Sequence, residues 1–533
     1  LIAISSLLSG VLLWLSWPER GLTPLIFFAL VPLLFAEHRF SMLHRRKKGW
    51  RLFGNFFLAM LTWNALTTWW IYYATDVGSI VAIAVNSLFM ATIWQLFYIT
   101  KKKQGPAVGN VSLIFYWIAF EYLHLNWEIS WPWLTLGNVF SIKPEWVQWY
   151  DYTGTLGGSA WIIIVNLFLF QLFKNLWYKD LLLRIRKFNV FLLSFVVSVT
   201  IAVPLIYSLY IYYNYTETGD PVNVVVLQPN VDPYHEKFNG TGKEQLAALL
   251  RLASTLVDST TDYCIGPETA LPDGIREETI ETDPSVIMIR KAMNRYPRLN
   301  MILGLTSFKS YGESEKIPVT ARKSSGGNYY YDVFNTAMLV TNGEGVQLYH
   351  KTRLVPGVEK MPYPGIFGFL EKYAIQLGGT SGSLGVQENR TNLFANDRTR
   401  IAPAICYESI YGAFMGAYMR DGAEFIAIIT NDGWWSNTPG YRQHMNYARL
   451  RAIEFRKSIA RSANTGISCF INQRGDVVQQ TGWWEEDALK GTIRKNNIVT
   501  FYARYGDFIG FISAFLSVTM LLYLFFRKLI QWF

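Results

Sequence analysis

The sequence predicts an α-helical membrane bundle of eight transmembrane helices joined to an extracytoplasmic α/β domain. Three observations carry that prediction. Eight long apolar runs punctuate the chain, Lys and Arg are unevenly shared among the loops between them, and after Val222 the pattern changes to short apolar strands alternating with helix-like segments.

The apolar runs cover residues 1–17, 22–35, 56–74, 80–98, 111–125, 157–173, 188–212 and 508–526. A helix rises about 1.5 Å per residue, so roughly 20 apolar residues cross a hydrocarbon core, and most of the runs approach that length. The second and fifth are short or interrupted, which leaves their ends soft. The first run has no basic segment before it and a second run follows almost at once, so it reads as a membrane helix and not as a cleaved signal peptide. Because the chain opens on Leu, a few residues are expected to precede it.

Basic residues set the orientation. With a cytoplasmic N-terminus, the inner loops hold Arg39, Arg45, Arg46, Lys47, Lys48 and Arg51, then Lys101, Lys102 and Lys103, then Lys174, Lys179, Arg184, Arg186 and Lys187, with Arg527 and Lys528 in the tail. The short outer loops hold only Arg20 and Lys143. This is the positive-inside pattern. It explains much of the net charge of +10 as cytoplasmic loops facing anionic headgroups, with no nucleic-acid partner required. Eight crossings put both termini in the cytoplasm. The expected domains are 1–212, a membrane domain of seven helices; 213–507, a catalytic domain outside; and 508–533, the eighth helix with a cytoplasmic tail.

Aromatic residues gather at the expected membrane edges, among them Trp69, Trp70, Tyr72, Tyr73, Trp127, Trp131, Trp133, Trp146 and Trp149. An interfacial belt accounts for such residues. The outer loop at 126–153 is rich in Trp and contains Pro132, so a re-entrant segment that seats a lipid is an alternative, with Trp131 and Trp133 as candidate substrate contacts. Glu121 lies near the outer end of an apolar run, where a carboxylate is costly unless paired or hydrated. A positioning role and a role in a lipid or peptide path are both open for it.

In the outer domain, strands are expected at 222–228, 301–308, 335–341, 401–407, 425–430 and 466–472, with helices near 243–257, 284–296, 409–420 and 441–461. Near-continuous apolar strands imply a sheet buried on both faces. Cysteines number three, Cys264, Cys406 and Cys469, so at least one thiol is left unpaired within the chain. No metal site emerges: His444 lacks a second ligand at helical spacing, and His235 and His350 have no zinc-hydrolase motif around them. Neither a phosphate-binding loop nor a dinucleotide glycine pattern is present.

Three short stretches bear chemistry. In CIGPETA, 264–270, a strand delivers Glu268 just past Pro267, where partial burial suits a general base, although an ordinary loop carboxylate looks the same. In YHKTRLVPGVEKMP, 349–362, Lys351 follows a strand end and Glu359 comes eight residues later. A fixed ammonium stabilises a developing oxyanion, yet alone it also reads as a surface lysine. In IAPAICYESIYGAFMGAY, 401–418, a buried strand ends at Cys406 and turns into a helix starting near Glu408. Unpaired N–H groups and the positive end of the dipole are expected to favour thiolate there, against the alternative of a buried structural cysteine. Cys264 and Cys469 sit inside strands and read as core residues.

The order Glu268, Lys351, Cys406, each at a strand end, resembles the nitrilase superfamily, whose Glu, Lys and Cys triad sits on an αββα sandwich. Joined to eight crossings, the chain resembles the apolipoprotein N-acyltransferase family almost end to end. The specific stretches are LQPN at 227–230, PETA at 267–270, YHKTRLVP at 349–356, ICYES at 405–409, TNDGWW at 430–435, and the segment 443–461 followed by ANTG. Two stretches depart from the family: VPGVEKMP stands where VPFGEYVP is common, and NDGWWS where NDTWFG is common. Glu359 keeps its place, and the changes bear on loop shape and lipid preference.

The resemblance implies transfer of an acyl chain, normally the sn-1 chain of a phospholipid, to the α-amine of a diacylglyceryl-cysteine at an apolipoprotein N-terminus, without a cofactor. It implies Glu268 as base, Cys406 as nucleophile, and Lys351 with the N–H of Tyr407 as oxyanion donors. Glu359 would orient Lys351, Glu408 would support the turn at the nucleophile, and Trp434 and Trp435 would line the acyl entrance. The setting it implies is the inner membrane of a Gram-negative bacterium, with a monomer whose catalytic domain lies in the periplasm. A membrane-anchored amidase acting on a small or lipid amide, and a non-catalytic lipid- or protein-binding scaffold, are the alternatives. A transporter fits less well, because no paired broken helices are evident.

Overall fold

A computed structural model describes the chain apart from residues 1, 43–47, 178–182, 237–240, 313–315, 325, 328, 344, 368–382 and 531–533. The basic loop residues Arg45, Arg46, Lys47 and Lys179 therefore lie outside the described residues. The chain divides into two compact units: Leu1–Tyr72, Asp76–Tyr215 and Tyr505–Phe533 form one, and Tyr73–Thr75 with Thr216–Arg504 the other.

The first unit is helical, and each of the eight apolar runs lies on a helix: Ile2–Ser16, the 3-10 turn Thr23–Phe27 followed by Val31–Met42, Lys48–Thr68, Asp76–Gln104, Pro106–Asn126, Tyr150–Trp177, Leu183–Asn214 and Phe508–Ile530. Among the described residues, five segments are long and apolar enough to cross a membrane: Thr23–Met42, Asp76–Gln104, Tyr150–Trp177, Lys187–Asn214 and Phe508–Arg527. Ile2–Ser16 is apolar but has 15 residues.

Buried polar side chains mend the breaks in these helices. Asn166 donates to Ile26 O at 2.9 Å and accepts from Leu30 N at 2.8 Å, satisfying backbone groups freed where Thr23–Phe27 gives way to Val31–Met42. Glu121 Oε1 accepts from Trp117 Nε1 and from Leu136 N, both at 2.8 Å. That carboxylate ties the 126–149 segment, folded as the 3-10 turns Pro132–Leu134, Leu136–Ile142 and Pro144–Trp146, to the helix Pro106–Asn126. These contacts are those a positioning role for Glu121 requires. Trp133 is 1% exposed and packs between Trp70 and Trp131, at 4.8 and 5.6 Å between ring centroids, so it fills the core of the helical unit. Trp131 is half-buried.

The second unit is built on two sheets. In the first, the central strand Tyr263–Ile265 runs parallel to Asp220–Gln228 on one side and Asn300–Tyr311 on the other. Asp487–Lys495 adds antiparallel to Asp220–Gln228, and Tyr330–Val340 antiparallel to Asn300–Tyr311. In the second sheet, Arg400–Ile405, Phe425–Thr430 and Ile459–Ala463 are parallel neighbours, and Cys469–Ile471 joins antiparallel. One face of the first sheet, with Val225, Leu227, Cys264, Met301 and Leu303, packs on Leu246, Leu249, Val286 and Ile289 from the helices Gly242–Ser254 and Pro284–Met293. Alternate residues point the other way and meet the second sheet: the Tyr263 and Phe425 rings stand 5.1 Å apart, and Ser462 Oγ donates to Leu227 O at 2.6 Å. Helices Gly412–Arg420 and Pro439–Phe455 follow strands of the second sheet. Strands buried on both faces explain the near-continuous apolar runs.

The expected helix at 441–461 needs correction. Thr438 caps its start by accepting from Gly440 N, and Pro439 occupies the first turn, but the helix ends at Phe455. Arg456 takes a left-handed conformation, φ 51°, donating its N–H to Ala452 and Ile453 carbonyls, and Ile459–Ala463 continues as a buried strand. Likewise, the helix expected at 409–420 begins at Gly412, after the 3-10 turn Cys406–Ile410.

Candidate active site

Glu268 sits in a turn just beyond Tyr263–Ile265, and Gly304 makes that turn possible. A Cβ at Gly304 would meet Thr269 N at 2.4 Å and Glu268 Cα at 2.6 Å, while Gly304 N donates to Pro267 O at 3.0 Å. The turn is thus clamped against the strand Asn300–Tyr311, a close approach only glycine allows. Lys351 follows the strand Val346–His350, with its backbone N–H donating to Asn335 O at 2.8 Å. Cys406 ends the strand Arg400–Ile405 at φ 51°, a left-handed value that costs a non-glycine residue roughly 1–2 kcal/mol. That sharp turn carries the side chain off the strand end, and Cys406 remains partly exposed.

The structure brings Glu268, Lys351 and Glu359 together directly. Lys351 Nζ donates to Glu359 Oε1 at 2.9 Å and to Glu268 Oε1 at 3.3 Å, and the ammonium is 1% exposed. Asn335 Nδ2 bridges the same two carboxylates, at 2.7 Å to Glu268 Oε1 and 3.2 Å to Glu359 Oε1. Asn431 N donates to Glu268 Oε2 at 3.0 Å and Val355 N to Glu359 Oε2 at 2.8 Å. Burial works against the Lys351 charge, but Glu268 and Glu359 outweigh it and hold the ammonium well above the usual lysine range.

Cys406 is electrostatically coupled to this group. Burial raises its thiol pKa, Glu268 and Asp432 raise it further, and Lys351 opposes them. The helix N-terminus expected beside Cys406 is corrected: the turn after it is a short 3-10 segment. Desolvation and nearby carboxylates push the thiol pKa up, opposite to the shift expected from a helix dipole. Glu408, fully buried, accepts at Oε1 from Tyr349 OH at 2.7 Å, Thr352 N at 2.8 Å, Thr352 Oγ1 at 3.0 Å and Arg353 N at 3.2 Å. Its Oε2 accepts from Ile405 N at 2.9 Å. One carboxylate thereby fastens the Cys406 turn to the segment that carries Lys351. Tyr407 is buried with its ring edge-on to Tyr411, 5.2 Å between centroids.

Trp434 and Trp435 lie half-buried on the 3-10 turn Asp432–Trp435. The Trp434 carbonyl accepts from Tyr234 OH at 2.7 Å, and the Trp435 ring stands edge-on to His444 at 5.6 Å. Trp131 and Trp133 belong to the helical unit and are not among these contacts. A small cleft beside Glu268 is lined by Pro229, Val231, Gln245, Pro267, Thr269 and Asn464. Among the described residues, no cluster of His, Cys, Asp or Glu is arranged to hold a metal ion.

Residues 226–502 match the carbon-nitrogen hydrolase family, and residues 9–168 match the apolipoprotein N-acyltransferase N-terminal domain. The first match spans both sheets and every charged residue of the cluster. A curated relative from Chlorobaculum tepidum, an apolipoprotein N-acyltransferase, is 34% identical, over 94% of this chain and 92% of its own. The chain belongs to the apolipoprotein N-acyltransferase family. Relatives carrying the same name from Geobacter metallireducens and Aquifex aeolicus are each 26% identical, the first covering 95% of this chain and 91% of its own, the second 91% and 97%. The match is end to end, so helical unit and two-sheet unit both belong to the N-acyltransferase family pattern.

Asn335, Gly304 and Asn431 were not singled out from the sequence. Asn335 and Gly304 had a signal: a lone amide or glycine inside an apolar strand run, where neither packs well, marks a place where backbone or side chain is needed for something else. Asn431, just past Phe425–Thr430, acts through its backbone N–H, which no residue type marks.

Proposed function

We propose that the protein transfers a fatty acyl chain from the sn-1 position of a phospholipid, through a Cys406 thioester, to the α-amine of an N-terminal S-diacylglyceryl-cysteine on an apolipoprotein. The observation that carries this reading is the Glu268, Lys351 and Glu359 cluster electrostatically coupled to a cysteine on a strained turn.

Glu268 takes the Cys406 proton, and the sulfur attacks the ester carbonyl. The Lys351 ammonium has three hydrogens; two face Glu359 and Glu268, and the third meets the oxyanion together with the Tyr407 N–H. Collapse breaks the ester C–O bond, Glu268 returns its proton to the departing alkoxide, and lysophospholipid leaves. In the second half, the neutral amine attacks the thioester, Glu268 takes the amine proton, and collapse breaks the C–S bond, with that proton passing to sulfur. Amide and free thiol result, by ping-pong transfer. Glu359 orients Lys351, Glu408 holds the Cys406 turn, and the half-buried Trp434, Trp435 and Trp131 contact acyl chains, while the core residue Trp133 supports Trp131. Ester and thioester lie close in energy and the amide lower, so no cofactor is required.

The eight helices each span the membrane, seven within 1–212 and the eighth in 508–533. The catalytic domain at 213–507 is periplasmic, both termini are cytoplasmic, and the protein works as a monomer in the inner membrane of a Gram-negative bacterium. The positive-inside distribution supports this arrangement.

The test is intact-mass spectrometry after incubation with a defined phospholipid, with Cys406→Ala alongside. A single acyl mass, removed by hydroxylamine, absent in the variant and discharged by a diacylglyceryl-cysteine peptide as an N-acyl product, is the expected result. A folded, lipid-supplied protein that gains no mass overturns the proposal.

A further inference from the structure

Behind the Cys406 turn lies a buried polar network that the proposed chemistry leaves unused. His444, on the helix Pro439–Phe455, is 1% exposed, and Asp432 and Arg461 are both 0% exposed. His444 Nδ1 stands 2.9 Å from Asp432 Oδ1 and 3.2 Å from Arg461 Nη2. Arg461 Nη2 donates to Asp432 Oδ2 at 2.6 Å, and Thr430 Oγ1 to Asp432 Oδ1 at 2.9 Å. A Cβ at Gly466 would meet Asp432 Oδ2 at 2.5 Å, so the carboxylate occupies the space a side chain there would need. On the far side of the ring, Nε2 is 3.1 Å from the Cys406 carbonyl oxygen and 3.1 Å from Ser409 Oγ, which itself donates to that oxygen at 2.8 Å.

A carbonyl oxygen only accepts, so Nε2 carries a hydrogen and donates it. Nδ1 faces one acceptor and one donor and is partnered with or without its hydrogen. The Cys406 carbonyl shares a planar trans peptide with the Tyr407 N–H, and in such a peptide the two groups point in opposite directions. Fixing the carbonyl on one side aims the N–H on the other.

We infer that His444 is a positioning residue, held at Nδ1 by Asp432 and Arg461, whose hydrogen bond to the Cys406 carbonyl aims the Tyr407 N–H at the oxyanion and stabilises the left-handed Cys406 turn. The inference rests on the acyl-transfer reading above. It predicts a specific signature, because an oxyanion donor acts on the tetrahedral intermediate, whereas direct alkylation of sulfur forms no oxyanion.

Two substitutions separate the ring's two contacts. In His444→Gln the amide nitrogen takes the place of Nε2 and keeps the bond to Cys406 O. In His444→Asn the amide replaces Nδ1, keeping the Asp432 contact and losing the carbonyl. The full-length protein in detergent, supplied with phospholipid, is followed for Cys406 acylation by mass and, separately, for alkylation by iodoacetamide at pH 9. The expected result is a limiting acylation rate about 10²-fold lower in His444→Asn, at unchanged half-saturating lipid, with His444→Gln within about tenfold of the parent and alkylation unchanged in both. Ser409→Ala, which removes the second donor to the same oxygen, is expected to lower the acylation rate less and leave alkylation alone; it stands in if a histidine variant fails to fold. Equal losses in Gln and Asn variants, or alkylation falling in step with acylation, overturn the inference. A parent protein that never acylates removes the acyl-transfer reading and the inference with it.

Discussion

Glu408→Gln changes one oxygen to nitrogen at a fully buried position, and its cost follows from the five donors aimed at the carboxylate. At Oε1 the amide oxygen still accepts from Tyr349, Thr352 and Arg353, but as a neutral group. Hydrogen bonds to charged partners contribute about 1.5–3 kcal/mol and neutral ones about 0.5–1.5 kcal/mol, so weakening these contacts costs roughly 2 kcal/mol together. At Oε2 the new NH2 opposes the Ile405 N–H, a buried donor left unpaired at about 1–3 kcal/mol. Removing a buried negative charge returns part of this, since burial already raises the Glu408 pKa. The net expectation is about 2–3 kcal/mol, or roughly 3–5 °C in the unfolding midpoint of a domain this large. Because the same carboxylate joins the Cys406 turn to the Lys351 segment, the acylation rate falls as well, by at least about tenfold. Thermal unfolding followed by Trp fluorescence in detergent, with acylation by mass on the same sample, reads both. An unfolding midpoint within about 1 °C of the parent and an unchanged acylation rate would refute the view that Glu408 fastens these two segments.

Gly304→Ala drives a methyl group into the Glu268 turn; acylation is expected to fall about 10²-fold while stability drops by only about 1–3 kcal/mol, measured by mass and by thermal unfolding. Since burial pushes the Cys406 thiol pKa up, its alkylation by iodoacetamide near neutral pH should be slower than that of free cysteine and should keep rising through pH 9 without a plateau; an early plateau would indicate a stabilised thiolate. Lys457, fully buried with Nζ donating to Asn496 Oδ1 at 2.9 Å, has its pKa lowered by burial to about 7. The unfolded chain keeps this proton to about pH 10.4 while the folded state sheds it near 7, so stability rises with pH across that window. Unfolding midpoints between pH 7 and 9 should climb in the parent and lose that part of the slope in Lys457→Met.

The sequence was most legible where a signal is repeated along the chain and least where one residue overrides its neighbours. The apolar runs were legible on helices because most of them are long, uniform patterns, the short and interrupted second run being split between Thr23–Phe27 and Val31–Met42. The buried strands around Cys264, Met301 and Phe425 were legible for the same reason. Ile459–Ala463 was read as helix because KSIARSA has no Gly or Pro to mark a stop; the break is made by Arg456 in a left-handed conformation. Asp487–Lys495 showed no apolar run, since as an outer strand of its sheet it buries few positions. At the site, strand ends placed Glu268, Lys351 and Cys406, but the direction of the Cys406 pKa shift was not legible from local helix geometry. Desolvation and a carboxylate far away in sequence decide it. His444 was tested only as a metal ligand, and its actual partners, Asp432 and the Cys406 carbonyl, lie 12 and 38 residues away.

The charge arrangement bears on why the proposed chemistry needs a base at all. A cysteine activated as a permanent thiolate needs a persistent cation beside it, yet here the Lys351 ammonium is shared by two carboxylates. In the starting state of the proposed chemistry, two carboxylate anions, one ammonium and a neutral thiol give the group a net charge of −1. Moving the proton from Cys406 to Glu268 leaves that total unchanged: the sulfur gains the negative charge that Glu268 gives up, and Lys351 remains beside both. A buried site tolerates relocation of charge far better than creation of it. The thiolate then forms only as the proton moves, and once the acyl group is on sulfur Glu268 can return to its anionic form, ready for the amine. A second carboxylate on Lys351 thus has a mechanistic reading: it keeps the ammonium charged and in place while Glu268 gains and loses its proton.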